Sequence, residues 1–250
     1  MCCLFGLIDT ELRFTGKEKS KMLHALASAS EARGTDATGV AYDSGRNLHI
    51  YKKPIPGHKL NFYVRDNSRF AMGHTRMTTQ GSARKNYNNH PFRGIMQTGT
   101  FALAHNGVLD NDISLRKSLH LSRTRIETDS YIAVQLIVQK GILNFDSLRY
   151  MAELLEGSFT ITVLGDDEVS TSSRETTPSA CISSRTVVSI SMPQRKKSFV
   201  RRSGSFKYRL ERAGRFLSSA ERFCGLTRLG GSTGRPLMTA SCSGSDTPGS

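Results

Sequence analysis

Apolar residues recur at strand and helix spacing as far as Leu164 and then lose their periodicity, a break that divides the chain more sharply than any other feature. The 167 residues before Glu168 are enough to bury a substantial core. Across residues 168–250, Lys and Arg outnumber Asp and Glu by 14 to 5, and Ser and Thr fill 26 of the 83 positions, in runs such as Ser170-Thr171-Ser172-Ser173. Such a composition reads as a basic disordered tail. Of the formal net charge of +14, +9 falls in this tail and +5 in residues 1–167. Any inference from charge to a nucleic-acid partner therefore rests on the tail.

No apolar run approaches the ~18 residues needed to cross a bilayer, which excludes a chain with a membrane-spanning helix. Met1-Cys2-Cys3-Leu4-Phe5-Gly6-Leu7-Ile8-Asp9 lacks the basic and extended apolar regions of a secretory signal, so the expected setting is the cytoplasm. There the five cysteines stay reduced, and their odd number and spacing fit neither a disulfide framework nor a zinc pair. The seven histidines show no pair at metal-ligand spacing, so no metal site and no cofactor are expected.

Within the first part, residues 3–8 read as a buried strand, residues 17–32 as an amphipathic helix, and residues 38–42 and 48–52 as a hairpin around Asp43-Ser44-Gly45. Residues 70–75, 101–105 and 159–164 read as further strands. Helices are expected from Asn111 or Asp112 to Leu119, from a Thr128 cap to a Gly141 stop, and over residues 148–155. Strands and helices are grouped rather than alternating, which points to layered sheets flanked by helices, an α+β fold.

Polar clusters stand at the strand ends: Arg33-Gly34-Thr35-Asp36, Gly73-His74-Thr75-Arg76, His105-Asn106-Gly107 and Glu127-Thr128-Asp129. Singly each has an ordinary reading. Asn106-Gly107 suits a turn, Arg76 a surface ion pair, Asp129 the first turn of a helix, and Cys2 a small hydrophobe. Cys2 has one property no internal cysteine shares. Removal of Met1 places its thiol, with an ordinary pKa of ~8.5, on the residue that carries a free α-amine of pKa ~7.7–8.0. That amine can serve as the general base that activates the thiol.

Together with Asn89-His90-Pro91 and Ser130, these clusters occur in an order that resembles the class II glutamine amidotransferases, N-terminal-nucleophile hydrolases with a four-layer αββα core. The resemblance covers residues 1 to about 164 and implies a glutaminase domain over 1–167, incomplete at its C-terminal end. It implies Cys2 as the nucleophile that attacks the glutamine side-chain amide, leaving a γ-glutamyl thioester and ammonia. Asn106 and the Gly107 N–H would form the oxyanion hole. Arg76 would hold the substrate α-carboxylate, Asp129 its α-ammonium, Thr79 would touch substrate, and Arg33 would lie near the nucleophile. Met77 and Gln80 depart from the Trp and His common at those places, and Cys3 from a common Gly. The substrate would be glutamine or a γ-glutamyl amide, with any ammonia-accepting synthase on a separate partner, no membrane and no nucleic acid. The rival reading is a catalytically idle interaction protein whose basic tail binds nucleic acid.

The tail carries a second signal. One permitted choice of codons for residues 169–184, read from the third base, spells LYFVKGDNPLCMHLF, and the same shift over residues 184–201 spells PNRGLYLYASTEEILRQ. Both resemble the continuation the family would have, which implies a frameshift just after Asp167 that leaves the edge of the strand over 159–164 open. Sequencing of the coding DNA across codons 164–172 is expected to show a one-base insertion or deletion there. An intact frame would leave residues 168–250 as a genuine arm.

Overall fold

The computed structural model describes residues 2–45 and 47–166, together with the strand backbones of residues 187–192 and 237–241. In chain order these are β1 (Cys3–Ile8), α1 (Gly16–Ser30), β2 (Ala37–Ser44), β3 (Asn47–Lys53), β4 (Phe70–Arg76), β5 (Phe92–Met96), β6 (Gly99–Leu109), α2 (Asp112–Ser118), α3 (Tyr131–Lys140), α4 (Phe145–Leu154), β7 (Gly157–Gly165), β8 (Val187–Met192) and β9 (Leu237–Ser241). The first sheet runs β3-β2-β4-β1-β9 and the second β5-β6-β7-β8, with every described pairing antiparallel. The sheets lie face to face. Leu4, Phe70 and Met72 of the first pack against Ala102, Ala104 and Leu164 of the second. Alternate residues point outward. Phe5, Leu7 and Ala71 bury against Leu23 and Ala27 of α1, and Phe101, Leu103, Phe159, Ile161 and Val163 bury against α3 and α4. The result is the αββα order of layers.

Helix ends follow ordinary chemistry except at the starts of α2 and α3; Asn111 stands at the α2 cap position but makes no capping bond, its side chain donating to the Leu154 carbonyl and accepting the Glu156 N–H instead. Thr15 and Glu18 form a capping box on α1, Asn144 and Ser147 one on α4, and Gly141 stops α3 in the left-handed conformation. The expected Thr128 cap is corrected: α3 begins at Tyr131 with Ser130 at the cap position, and the Ser130 side chain makes no capping bond. Strand β5 was not legible as a strand. Its inward positions are Phe92 and Gly94, and a Cβ on Gly94 would lie 2.2 Å from the Phe101 ring, so a glycine stands where the alternation needs an apolar side chain.

Two segments of the tail enter the sheets. Val187–Met192 pairs along β7 from Phe159 to Leu164, and Leu237–Ser241 pairs along β1. The edge of β7 is therefore occupied rather than open; the segment reads VVSISM, rich in the β-branched residues that suit a strand. The expectations of disorder and of a nucleic-acid arm otherwise lie outside the described residues.

A buried lysine ties α1 to the end of β1. Lys19 is 1% exposed, and its Nζ pairs with Asp9 Oδ2 at 3.0 Å while donating to the carbonyls of Asp66 at 2.8 Å and Ser68 at 2.6 Å. Its three donors are thus all matched. Burial raises the Asp9 pKa, but the Arg13 N–H, the Lys19 ammonium and the Phe14 N–H outweigh it and leave the carboxyl below its ordinary value. The stability this carboxylate contributes is complete above about pH 3.9 and is lost as pH falls through its lower folded value. Lys19→Met should destabilise the fold by about 3–5 kcal/mol at pH 7, because Asp9 keeps a buried charge without its partner. Chemical denaturation of the two proteins checks this.

Candidate active site

The register of β1 on β4 sets the site. Leu4 stands opposite His74 and Cys3 opposite Thr75, so the pairing carried one residue outward brings Cys2 level with Arg76. Side chains opposite one another in an antiparallel pair share a face. Leu4 and Met72 lie between the sheets, and residues 2, 74 and 76 follow them there at period two. On β6, Ala102 and Ala104 face the same space, and Asn106, two residues on, shares their face and is 3% exposed. One end of the inter-sheet layer therefore gathers a thiol, a guanidinium and a carboxamide.

The Asn106-Gly107 pair is not a turn. It lies within β6, opposite Thr160 and Phe159 of β7. Gly107 has φ +140°, and a Cβ there would meet the Ser158 carbonyl oxygen at 2.0 Å, so neither the conformation nor the space admits a side chain.

Cys2 is half-buried. Its Sγ accepts the Met77 N–H at 3.4 Å and donates to the Met77 carbonyl at 3.5 Å. Burial raises the thiol pKa, opposed by the Met77 N–H and by the positive charge of Arg76. Arg76 is 3% exposed; Nη1 donates to Asn89 Oδ1 at 2.7 Å, and Nη2 to the carbonyls of Gln80 at 2.5 Å and Gly81 at 3.0 Å. These acceptors are neutral. Three of the five guanidinium donors are used, and a carboxylate is a stronger partner than the carbonyls that hold them.

The loop after β4 is held from both sides. Asp36 Oδ2 accepts the Thr78 N–H at 2.7 Å, and the Asp36 N–H donates to the Arg76 carbonyl at 3.0 Å. Gly34 makes this approach possible: a Cβ there would lie 2.4 Å from the Arg76 carbonyl carbon. Arg33 is half-buried immediately before it, and Thr79 is exposed on the loop. On the other side, Gln80 Oε1 accepts the Asp129 N–H at 2.8 Å, while Asn88 and Glu127 exchange two bonds of 2.9 Å. Asp129 is fixed through Oδ2, which accepts the Leu109 N–H at 2.9 Å, and Oδ1, which accepts the Ser130 N–H at 2.8 Å.

Behind Arg76 three buried imidazoles meet. The His74 and His90 ring centroids are 4.3 Å apart, and His90 and His105 are 6.4 Å apart. Burial lowers the His74 pKa to about 3 and that of His105 to about 4, and drives His90 well below its ordinary value, so all three are neutral near pH 7. Lys52, lowered to about 8 by burial and then by Arg76, donates from Nζ to the carbonyls of Asn89 at 2.5 Å and Pro91 at 3.0 Å. Among the described residues no three His, Cys, Asp or Glu side chains converge so as to hold a metal ion, and no helix is long and apolar enough to cross a membrane.

No family model matches the chain. It is 32% identical to the glutamine–fructose-6-phosphate aminotransferase (isomerizing) of Bacillus licheniformis over 181 residues, 68% of this chain and 28% of that protein. With the corresponding enzyme of Bacillus subtilis strain 168 it shares 31% over 177 residues, 67% of this chain and 27% of that one. This chain belongs to the class II glutamine amidotransferases. It spans about a quarter of the length of those relatives. The amidotransferase fold also appears in the solved glutamine phosphoribosylpyrophosphate amidotransferase of B. subtilis, at TM-score 0.53 and 23% identity over 66% of this chain and 36% of that chain. A structure of the allosteric regulatory enzyme of purine biosynthesis matches at TM-score 0.55 with the same identity and coverage.

In this chain the residues singled out in the sequence fall at one end of the sandwich, beside β1, on β4 and β6 and on the loops at 33–36, 77–81 and 127–130. Asp36, Asn89, His105 and Ser130 were visible only as motif members without a role. Lys52 carried no sequence signal, since nothing in the run of β3 marks it as buried. Gly107→Ala should lower thermal stability measurably, because the β6–β7 pairing must give way to admit the new methyl. A variant with unchanged melting temperature would contradict that reading of β6.

Proposed function

We propose that residues 1–167 form a glutaminase domain that cleaves the side-chain amide of glutamine. The observation that carries this reading is the register that sets Cys2 level with Arg76 on the inner face of the sheets, facing the layer into which Asn106 projects. In the proposed cycle the α-amine of Cys2, free once Met1 is removed, takes the thiol proton. The thiolate attacks the amide carbon, and the oxyanion is received by the Asn106 carboxamide and the Gly107 N–H. As the tetrahedral species collapses, the C–N bond breaks and the ammonium returns its proton to the departing ammonia. The same amine then draws a proton from water, which attacks the γ-glutamyl thioester and releases glutamate and the thiol. Arg76 and Asp129 serve as partners for the substrate α-carboxylate and α-ammonium, with Thr79 and Arg33 at the margin of the pocket.

The relatives carry names that pair glutamine with a nitrogen acceptor, and this chain covers only the part of them proposed to release ammonia. The acceptor is proposed to be held elsewhere. A cytoplasmic setting, which keeps thiols reduced, suits a Cys2 nucleophile. The share of the chain matched by the relatives, 68% and 67%, is close to the 167 of 250 residues before Glu168 and supports the domain boundary.

Steady-state kinetics of two variants test the roles. Asn106→Ala should lower glutamine turnover by ~100-fold or more with KM nearly unchanged, since an oxyanion donor acts on the transition state. Arg76→Ala should act chiefly on KM. The reverse pattern would mean that the two roles are interchanged.

A further inference from the structure

Asp129 and His105, the neighbour of Asn106 on β6, stand on different elements, and one chain of hydrogen bonds through Ser130 joins them. Ser130 Oγ lies 2.7 Å from His105 Nδ1 and 3.2 Å from Asp129 Oδ1. A carboxylate only accepts, so the single hydroxyl proton is directed to Asp129 and the serine oxygen accepts from His105 Nδ1–H. The neutral state of the ring fits this, because one nitrogen carries a proton and the other does not. His105 adjoins Asn106 on β6 but points to the helical side, where Ser130 stands at the start of α3. Ser130 and His105 are 4% and 2% exposed, so water does not replace a partner that either loses.

This arrangement accounts for the missing helix cap. Ser is a strong capping residue, yet the Ser130 hydroxyl bonds no backbone N–H of α3. It is instead committed to the carboxylate of the preceding residue. Asp129 Oδ1 then receives the Ser130 N–H and O–H, and Oδ2 the Leu109 N–H. Of roughly four lone-pair positions on the carboxylate, three are filled, which leaves one direction open for an incoming donor.

We propose that Ser130 is a positioning residue for substrate selection: clamped by His105, it fixes the rotation of the Asp129 carboxylate so that its one open lone pair meets the α-ammonium of glutamine. The proposal rests on the reading of Asp129 as the ammonium partner. It makes Ser130 matter for recognition of the amino acid end of the substrate and leaves the thiol chemistry untouched.

Glutamine and its analogue lacking the α-amine, glutarate monoamide, separate these effects. The enzyme should prefer glutamine. In Ser130→Ala, kcat/KM for glutamine should fall about tenfold, through KM, as expected for loss of a buried hydrogen bond to a charged group, while kcat/KM for glutarate monoamide stays the same. Ser130→Thr, which keeps the hydroxyl, should retain the preference. An equal fall for both substrates, or a Ser130→Ala enzyme that keeps its full preference, would overturn the role of Ser130 alone. An unaltered enzyme with no preference between the two amides would overturn the ammonium role of Asp129, and the proposal with it.

Discussion

The antiparallel pairing of β1 with β4 is the constraint on which the rest of the site depends. Because strand side chains alternate, a slip of one residue would turn Cys2 toward α1 and bury it against the helix, while Leu4 would leave the space between the sheets. The slip is resisted by both faces at once. Leu4 and Met72 are matched to Ala102, Ala104 and Leu164 across the inter-sheet layer, and Phe5 and Leu7 to Leu23 and Ala27 of α1 on the other side. The position of the reactive thiol is thus fixed by apolar packing some residues away from it.

Around that anchor the polar groups are held by backbone atoms more than by ion pairs. Arg76 carries a buried charge whose hydrogen bonds run to a side-chain amide and two carbonyls, an arrangement that satisfies its geometry without neutralising it. Burial lowers its pKa, and the nearby carboxylates of Asp36 and Asp129 work in the opposite sense. The three neutral imidazoles behind it add no charge of their own. This end of the sandwich therefore keeps, among the described residues, a cation with only neutral hydrogen-bond partners beside a carboxylate with one open lone pair, the pair of charges that the proposed zwitterionic substrate would match.

Much of this was legible in the sequence, for identifiable reasons. Strands β1, β2, β3, β4, β6 and β7 show themselves because their buried faces are Val, Ile, Leu, Phe and Ala in runs bounded by turn residues. The motif residues Cys2, Arg76, Asn106 and Asp129 are readable by their order along the chain. Strand β5 escaped because Phe101 fills the place of a side chain at Gly94. Asn106-Gly107 looked like a turn because a glycine with positive φ suits one; here the same freedom serves a close approach to β7 inside a strand. The cap at Thr128 failed because tertiary contacts outrank local preference: the loop before α3 is tied to Gln80, Asn88 and Leu109, and the helix starts only once those ties are made. The strand at residues 187–192 was obscured by the Ser-rich composition around it.

Residue 2, as a free N-terminal cysteine, is proposed as the nucleophile for glutamine. Intact-mass and peptide-mass measurement after incubation with an electrophilic glutamine analogue tests it most directly. One adduct per chain is expected, on Cys2 of protein that has lost Met1, with protection by glutamine. A fully active protein that retains Met1, or an adduct that forms elsewhere and leaves Cys2 free, would contradict it.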